Sequence, residues 1–436
     1  MKFKSIDLFA GIGGIRKGFD NAFGDSIETV YVCEWAEAYV FMLLIGLGRI
    51  YGINAEFRKD TSIYLDVKNI LRNEGTHILK FEREKDSNQD VNVKAYDDNE
   101  QFCVIASSEF CSLATLFYET IRRSRYRSFE VPEIENFLKE LRISSPKAKL
   151  SNEFKEQYGA KSDIVVTSID SYDSCVSTSG FSIKSHIGSA PTLYNASQTS
   201  TFIFRVEGCT EQLMHEINVE DSYVGMIEKI KRKGLQLKYI GVGSEVFHIN
   251  LMMIDSNMDK ILADLVLVAA KYMDIVPASN KCTDLVAALA EVNPLGIAQH
   301  KAQQFYTAKI KDFLFAAFSG MTASSDWDGR RRMTGGYIDV TDDGDLVYCR
   351  ALSDDIFLSY LFNSTKIDNP DRGPNKDYAV AFAKKTLSGQ ILSEEEKHDI
   401  FFKPDGKRKP LRADFGYVYK HEDEYRFDIN FQIRFQ

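Results

Sequence analysis

The chain is poor in cysteine and has no long apolar run. Its seven cysteines are an odd number within 436 residues and form no Cys-x-x-Cys pair, so neither a disulfide framework nor a zinc ribbon is expected. No stretch of about 18 consecutive apolar residues occurs, which argues against a membrane span. The N terminus carries no signal-peptide pattern. These absences predict a cytoplasmic protein without membrane contact.

Positive charge is also in short supply. Lys and Arg number 54 against 63 Asp and Glu, which gives a net charge of −9. A uniformly basic nucleic-acid surface is therefore excluded, but the local field of a groove, and not the total charge, decides whether DNA binds. Basic residues cluster at 122–127, 229–233, 330–332 and 407–412, where they form either solvated faces or phosphate contacts.

Residues 161–185, KSDIVVTSIDSYDSCVSTSGFSIKS, predict a β-hairpin. The apolar, β-branched run after Asp163 is typical of a buried strand, a polar segment interrupts it, and Phe181 opens a second short strand. Ser182 and Lys184 lie two apart, so both leave one face of that strand, where they can converge with Asp163 across the hairpin. This is the PD-(D/E)xK layout of metal-dependent nucleases.

In that layout the carboxylate of Asp163 holds Mg²⁺ and the peptide carbonyl of Ile183 is a further ligand. The ammonium group of Lys184 orients or activates the attacking water and offsets phosphate charge. The alternative is an ordinary hairpin with polar surface residues, because the same spacing arises by chance in many chains.

A longer string, GFSIKSHIGSAPTLYNASQTSTFIF at 180–204, resembles the HpaII-type restriction endonucleases. Five further sequence segments resemble the same family: EWAEAYVFMLLIGLGRIYGINAEF, VPEIENFL, KSDI, Trp-Asp-Gly and Thr-Gly-Gly-Tyr. The resemblance covers roughly residues 34–436. It implies a type II site-specific deoxyribonuclease that hydrolyses double-stranded DNA with Mg²⁺ in restriction-modification defence. By the resemblance alone the site is CCGG, on which a cognate methyltransferase also acts without needing to bind this chain.

The hairpin has Ser182 where many relatives carry an acid, so a second carboxylate is expected from elsewhere. Glu37 is the first candidate, because it lies three residues after Glu34 on one face of a predicted amphipathic helix that breaks at glycines 46 and 48. A surface or ion-paired Glu37 is the alternative. Gln198 and Glu207 are weaker candidates for the same role.

Eight residues are predicted to contact DNA. Lysines ahead of Asp163 suit phosphate, polar residues after the hairpin suit phosphate or base edges, and arginine forks suit guanine. A solvated linker and a capped loop are the alternatives. The eight are Lys147, Lys149, Lys161, Asn195, Gln198, Arg330, Arg331 and Arg332.

Residues 5–34 begin as a nucleotide-binding half-fold does, with a strand, a glycine-rich turn, a helix, a second strand and an acid at Glu34. DLFAGIGGIRKGF resembles the S-adenosylmethionine motif of cytosine-5 DNA methyltransferases, which would place Phe9, Gly11, Gly13 and Glu34 at that cofactor. The family's Pro-Cys, Glu-Asn-Val and Gln-Arg-Arg strings are absent, so methyl transfer is close to excluded and no bound organic cofactor is expected. A recombination remnant of a neighbouring gene is the favoured interpretation, and a mis-set start codon or an appended strand-helix cap are the alternatives.

The remaining chain mixes predicted strands and helices. Strands are expected at 77–81 and 102–106, helices at 111–123 and after Pro132, and largely helical structure over 208–318, including KIKRKGLQLKYIG. GGYIDV and LVYC predict a further hairpin. The histidines, His186 included, have no metal-ligand spacing and are expected to be structural.

These patterns predict an α/β (α+β) protein with a mixed-sheet PD-(D/E)xK restriction-endonuclease-like core, helical elaborations and a C-terminal β-hairpin region. The predicted parts are a leader at 1–33, an N-terminal part at 34–150, the catalytic hairpin at 151–210, a helical part at 211–320 and a DNA-contact region at 321–436. A palindromic target favours a two-fold homodimer. The rival functions are a catalytically inactive DNA-binding relative or fusion product, and a methyltransferase fragment.

Overall fold

The computed structural model divides into two compact units, Met1–Pro191 with Arg331–Phe357, and Thr192–Arg330 with Leu358–Gln436. Within the part of the chain that it describes, no helix is both long and apolar enough to cross a membrane. The described residues are 3–5, 27–29, 32–54, 58–75, 77–123, 131–147, 150–159, 161–186, 191–220, 223–330, 333–350, 354–368, 383–389, 393 and 416–436.

Strands and helices alternate along both units. The strands are β1 Phe3–Ser5, β2 Ile27–Thr29, β3 Arg49–Ile53, β4 Lys59–Asn73, β5 Ile78–Lys85, β6 Val91–Asp97, β7 Glu100–Ala106, β8 Ile164–Asp170, β9 Val176–Ser185, β10 Thr192–Tyr194, β11 Phe202–Glu207, β12 Gln236–Val242, β13 Gly336–Val340, β14 Leu346–Arg350, β15 Thr365–Asp368, β16 Val418–His421, β17 Glu424–Ile429 and β18 Gln432–Phe435. The helices are α1 Val32–Leu47, α2 Ser107–Arg123, α3 Pro132–Glu140, α4 Asn152–Tyr158, α5 Glu211–Asn218, α6 Tyr223–Arg232, α7 Glu245–Met252, α8 Met258–Ala269, α9 Cys282–Val292, α10 Gln299–Phe318 and α11 Asp354–Ser364.

The first unit is built on a nine-stranded mixed sheet in the order β3-β14-β13-β9-β8-β4-β5-β6-β7. The predicted hairpin strands β8 and β9 are antiparallel neighbours at its middle, and β13 lies parallel to β9. Helices α1 and α2 share a buried apolar cluster with one face of the sheet, in which Phe41 packs edge-on against Phe81 at 4.7 Å and against Phe110 at 6.1 Å. The mixed α/β class is confirmed, while the PD-(D/E)xK core stays a prediction.

The second hairpin strand is longer than the sequence predicts. It begins at Val176 and not at Phe181, so the polar segment is part of the sheet. The hydroxyls of Thr167 and Thr178 lie 2.9 Å apart across the strands, and Ser179 is buried. Cross-strand hydroxyl pairing thus compensates for the low apolar content of this segment.

Several other elements follow their predicted positions. β5 and β7 match the strands expected at 77–81 and 102–106, and α3 begins at Pro132 with Ile134, Phe137 and Leu138 buried. The hairpin of β13 and β14 is confirmed, and α2 begins four residues before the predicted start.

The second unit is rich in helix, as predicted for 208–318, but one stretch of that region is wrong. KIKRKGLQLKYIG is not one helix, because α6 ends at Arg232 and β12 begins at Gln236. Gly234 has a φ of 70°, which ends the helix in a turn that residues with a Cβ rarely adopt. β12 then joins the sheet β12-β11-β17-β16, and β10, β18 and β15 form a smaller one.

The leader is described only at its two strands, β1 and β2, which pair in parallel. The glycine-rich motif, with Phe9, Gly11 and Gly13, lies outside the described residues. Glu34 does not end the second strand, since β2 stops at Thr29 and Glu34 belongs to α1. The apolar periodicity that follows Glu34 draws it into the helix.

Candidate active site

The open end of the β8–β9 hairpin holds Asp163, one residue before β8. Its backbone N–H donates to the carbonyl of Phe181 at 2.8 Å, which extends the hairpin ladder by one residue. Its carboxylate oxygen Oδ2 accepts from the N–H of Ile183 at 2.7 Å and from the hydroxyl of Ser182 at 3.2 Å. Two donors of the neighbouring strand thus hold the carboxylate, and Ser182 is buried beneath it.

A pocket beside this end contains a second acid. Glu37 of α1 and Asp163 both line it, together with Phe41, Ile70, Leu71, Arg72 and Ile164. Glu37 is 9% exposed. The helix acid and the hairpin acid therefore share one pocket, with apolar residues forming much of its wall.

The other two candidates for the second acid belong to the second unit. Glu207 ends β11 and accepts from Nη2 of Arg205 at 3.0 Å. Gln198 opens a single 3-10 turn at Gln198–Ser200, and its side chain is outside the described part.

Arg72 forms part of the pocket wall and was not singled out from the sequence. Its Nε donates to Glu74 at 2.6 Å, and its Nη2 donates to the carbonyls of Ser145 and, at 3.1 Å, Pro146. Glu74 also accepts from the hydroxyl of Ser144 at 2.7 Å. This buried ion pair fastens the loop that carries the predicted phosphate contact Lys147 to the end of β4.

Positive charge surrounds Asp163. Burial lowers the pKa of Lys161, the charges of Lys184, Lys155 and Lys147 lower that pKa further, and the charge of Asp163 raises it. Three ammonium groups and the Asp163 carboxylate therefore lie within electrostatic reach of Lys161. Positive charge is thus concentrated locally in a chain whose net charge is negative.

A tight contact with Thr334, two residues before β13, holds the segment before Asp163 in place. The hydroxyl of Thr334 accepts from the N–H of Gly180 and donates to the carbonyl of Tyr158, each at 2.9 Å. A Cβ on Gly180 would come within 2.2 Å of the Ser162 hydroxyl and 2.4 Å of the Tyr158 carbonyl. Only glycine lets the backbones approach this closely, so the Gly-Phe and Thr-Gly-Gly strings of the sequence meet at one point of the fold.

Comparison with known proteins shows the family of the chain. The sequence profile of the HpaII restriction endonuclease family matches residues 32–385. The chain belongs to the HpaII restriction endonuclease family. Over 405 residues it is 29% identical to the type II restriction enzyme HpaII of Haemophilus parainfluenzae, an alignment that covers 92% of this chain and 97% of that enzyme. No solved structure matches the chain.

Membership of the HpaII family confirms the prediction of a restriction endonuclease, a hydrolase. The profile begins at residue 32, two residues before the position from which the sequence alone suggested the resemblance. The glycine-rich leader lies before this match.

The donor set of the pocket fits a hard divalent cation in this HpaII family member. Mg²⁺ binds through one or two carboxylates and keeps several waters, and Asp163 and Glu37 supply two carboxylates to one pocket. Among the described residues, no group of three or more His, Cys, Asp or Glu side chains is placed to hold a metal. The fit rests on the two carboxylates that line the pocket.

The structure places the predicted DNA contacts in two groups. Lys147 and Lys161 belong to the first unit, with the pocket, whereas Asn195, Gln198 and Arg330 belong to the second. Asn195 is exposed and accepts from Nε2 of Gln432 at 3.4 Å, and Arg330 is exposed with its Nε 4.0 Å from Asp328. Lys149, Arg331 and Arg332 lie outside the described residues.

Proposed function

We propose that this HpaII family member cleaves double-stranded DNA at a specific site by Mg²⁺-dependent hydrolysis of phosphodiester bonds. One observation carries the proposal: Asp163 and Glu37, from a strand end and a helix, line the same pocket. A pair of carboxylates beside a cluster of lysines suits a cation and a phosphate at once.

Asp163 and Glu37 would hold the cation, with the peptide oxygen of Ile183 as a further ligand. When bound, Mg²⁺ polarises the phosphoryl oxygen and makes its water a stronger nucleophile. Ser182 donates to Asp163 and fixes the carboxylate, which is a positioning role and not that of a charged ligand. Lys184 would orient the attacking water and offset the charge that develops on phosphorus.

Lys161 and Lys147 would bind the phosphates that flank the cut. The charges of Lys184 and Lys147 lower the pKa of Lys161 and the charge of Asp163 raises it, so these groups lie near Lys161. Lys149 would extend this row. Such contacts fix the register of the duplex and carry no sequence information.

The target CCGG rests on the family resemblance. Asn195, Gln198 and Arg330, Arg331 and Arg332 are the proposed readers of bases, because amide and guanidinium groups pair with base edges in the major groove. A palindromic site fits a two-fold dimer in which each copy cuts one strand. Methylation of the same site by a partner enzyme would protect the host DNA.

Plasmid cleavage tests the proposal. Unmethylated plasmid with CCGG sites is incubated with the protein in Mg²⁺ or in chelator, beside CCGG-methylated plasmid and plasmid that lacks the site. Discrete fragments are expected only with Mg²⁺ and unmethylated sites, and Asp163→Ala and Lys184→Ala should not produce them within the time that the wild type needs for complete cleavage. Lys260→Ala, a change at an exposed lysine of the second unit, is the matched control and should cleave normally.

Cleavage in chelator, or in both variants, would contradict the proposed chemistry. Binding to CCGG duplex without any cleavage would instead favour an inactive DNA-binding relative. The specific observation behind that second candidate is Ser182, which stands where many relatives carry an acid.

A further inference from the structure

Asp339 is an acidic neighbour of Lys184. It lies on β13, which flanks β9 on the side opposite to Asp163. β9 and β13 pair in parallel, and the Cα atoms of Lys184 and Asp339 are register partners. Side chains of register partners leave the same face of a sheet. Ile183 and Ile338, one residue earlier, leave the opposite face and join the apolar core.

The sheet order places Lys184 between two carboxylates. β8 with Asp163 at its start flanks β9 on one side, and β13 with Asp339 flanks it on the other. The Ser182–Asp163 hydrogen bond shows that the face with Ser182 and Lys184 is the one that reaches Asp163.

The Asp339 carboxylate is largely withdrawn from water. Its side chain is 13% exposed, and its Oδ1 lies 3.2 Å from Nε2 of His186. The N–H of His186 donates to the carbonyl of Val340 at 2.9 Å, which extends the parallel ladder and sets His186 on the face of Lys184, two residues on. A buried carboxylate is costly unless cations face it, so this position calls for positive neighbours.

The pKa of His186 is raised, as expected for an imidazole beside a carboxylate. The close contact with the Asp339 carboxylate raises the pKa of the His186 imidazole, burial opposes that shift, and the charge of Asp342 adds to it. His186 therefore has a defined electrostatic partner, beyond the purely structural role expected from the sequence.

We propose that Asp339 is a positioning residue for Lys184, with His186 as its anchor. A lysine side chain has four flexible methylene groups, and acids on both neighbouring strands confine its ammonium group to the space between them. The Lys184 ammonium is then already in place when DNA and metal arrive. This role rests on the proposed function, in which Lys184 acts on the water and the phosphate.

Single-turnover cleavage of CCGG duplex in Mg²⁺ tests the role, with Asp339→Asn as the variant. Its rate should fall roughly ten- to a hundredfold, because a displaced catalytic group costs about that much, while the Kd for DNA stays within about twofold. Asp339→Glu should recover part of the rate. Asp173→Asn, at an exposed acid on the turn of the β8–β9 hairpin, is the matched control and should cleave as the wild type does.

A double variant separates positioning from general stability. If Asp339 acts through Lys184, Asp339→Asn causes no further loss in a Lys184→Ala background, since coupled residues are not additive. Multiplied losses, or a wild-type rate in Asp339→Asn, would overturn the inference while leaving the proposed function intact. A wild-type protein that does not cleave at all would overturn the proposed function instead.

Competitive acetylation followed by mass spectrometry gives a readout without cleavage. Lys184 should react several-fold faster with acetic anhydride in Asp339→Asn than in the wild type, because the amine loses its acidic partner, and Lys260 serves as the internal reference. Equal labelling of Lys184 in the two proteins would overturn the inference regardless of nuclease activity.

Discussion

An aspartate lies at each end of β8, and the two carboxylates have different hydrogen-bond and ion-pair partners. Asp170, at the closed end, forms an ion pair with Nη1 of Arg350 and accepts from the N–H of Tyr172 at 2.8 Å. Asp163, at the open end, accepts from a backbone N–H and a serine hydroxyl and lies near Lys161 beside a second acid.

Under the proposed function, Asp170 stabilises the fold whereas Asp163 binds a ligand. Asp170 is 8% exposed, and its carboxylate binds its own hairpin turn and Arg350 of β14. Asp163 is half-buried at the mouth of a pocket, next to Glu37 and near Lys161. Like charges placed close together cost stability and are usually retained where a cation or a reaction makes use of them.

The largest expected effect comes from Asp163→Asn. If this carboxylate holds the metal, its loss should lower the cleavage rate by at least about a hundredfold, since metal stabilisation of the transition state is worth several kcal/mol. The free energy of unfolding should change little, because the amide oxygen of Asn can still accept from the N–H of Ile183 and the hydroxyl of Ser182. Cleavage kinetics and urea unfolding measure the two quantities, and a loss of stability without a loss of rate would reverse the comparison.

The second effect concerns the closed end. Asp170→Asn should lower the free energy of unfolding by about 3 kcal/mol, because it leaves the largely buried Arg350 guanidinium without its carboxylate. Cleavage per folded molecule should be retained. Asp173→Asn, on the exposed turn of the same hairpin, is the control and should change stability by less than about 0.5 kcal/mol. An Asp170→Asn protein as stable as the wild type would contradict the structural assignment.

A third, smaller effect tests how the open end is held. Gly180→Ala should cost about 1–3 kcal/mol of stability and also slow cleavage, because the new Cβ meets backbone and hydroxyl oxygens in the segment that carries Asp163. Ser177→Ala in the same strand should have little effect on either quantity. Chemical denaturation and cleavage rates provide the measurement, and unchanged values for Gly180→Ala would refute the close packing.

The smallest effect is a pH dependence at His186. Its folded-state pKa is raised, mainly by Asp339, so its contribution to stability is fully present below the unfolded value of about 6.5 and is lost as pH rises through the folded value. The stability difference between wild type and His186→Gln should therefore shrink from pH 6 to pH 8.5. A difference that stays constant over this range would show that the imidazole has no charged partner.

Much of the open end could be predicted from the sequence. The β-branched run after Asp163 and the period of two at Ser182 and Lys184 are local signals, and they give the hairpin and the shared face correctly. The amphipathic helix that carries Glu37 was equally local. The position of Glu37 beside Asp163 follows from no local pattern; it is expected only because the hairpin lacks a second acid.

The rest depends on contacts between distant segments. The polar start of β9 has low strand propensity by itself, and a partner strand decides its conformation. Asp339 is the register partner of Lys184 although it lies more than a hundred residues further along the chain. No local sequence pattern at either residue predicts this strand pairing. Arg72 and Glu74 likewise resemble any surface pair until the fold buries them.

The most direct test of the central claim is a Mn²⁺ titration of the protein, followed by electron paramagnetic resonance. Mn²⁺ takes the same carboxylate and water ligands as Mg²⁺, and the signal of the free ion reports how much is bound. We predict binding to the wild type and to Asp170→Asn, and a large loss of binding in Asp163→Asn and Glu37→Gln. Undiminished binding in Asp163→Asn would contradict the account, because the metal would then be held elsewhere.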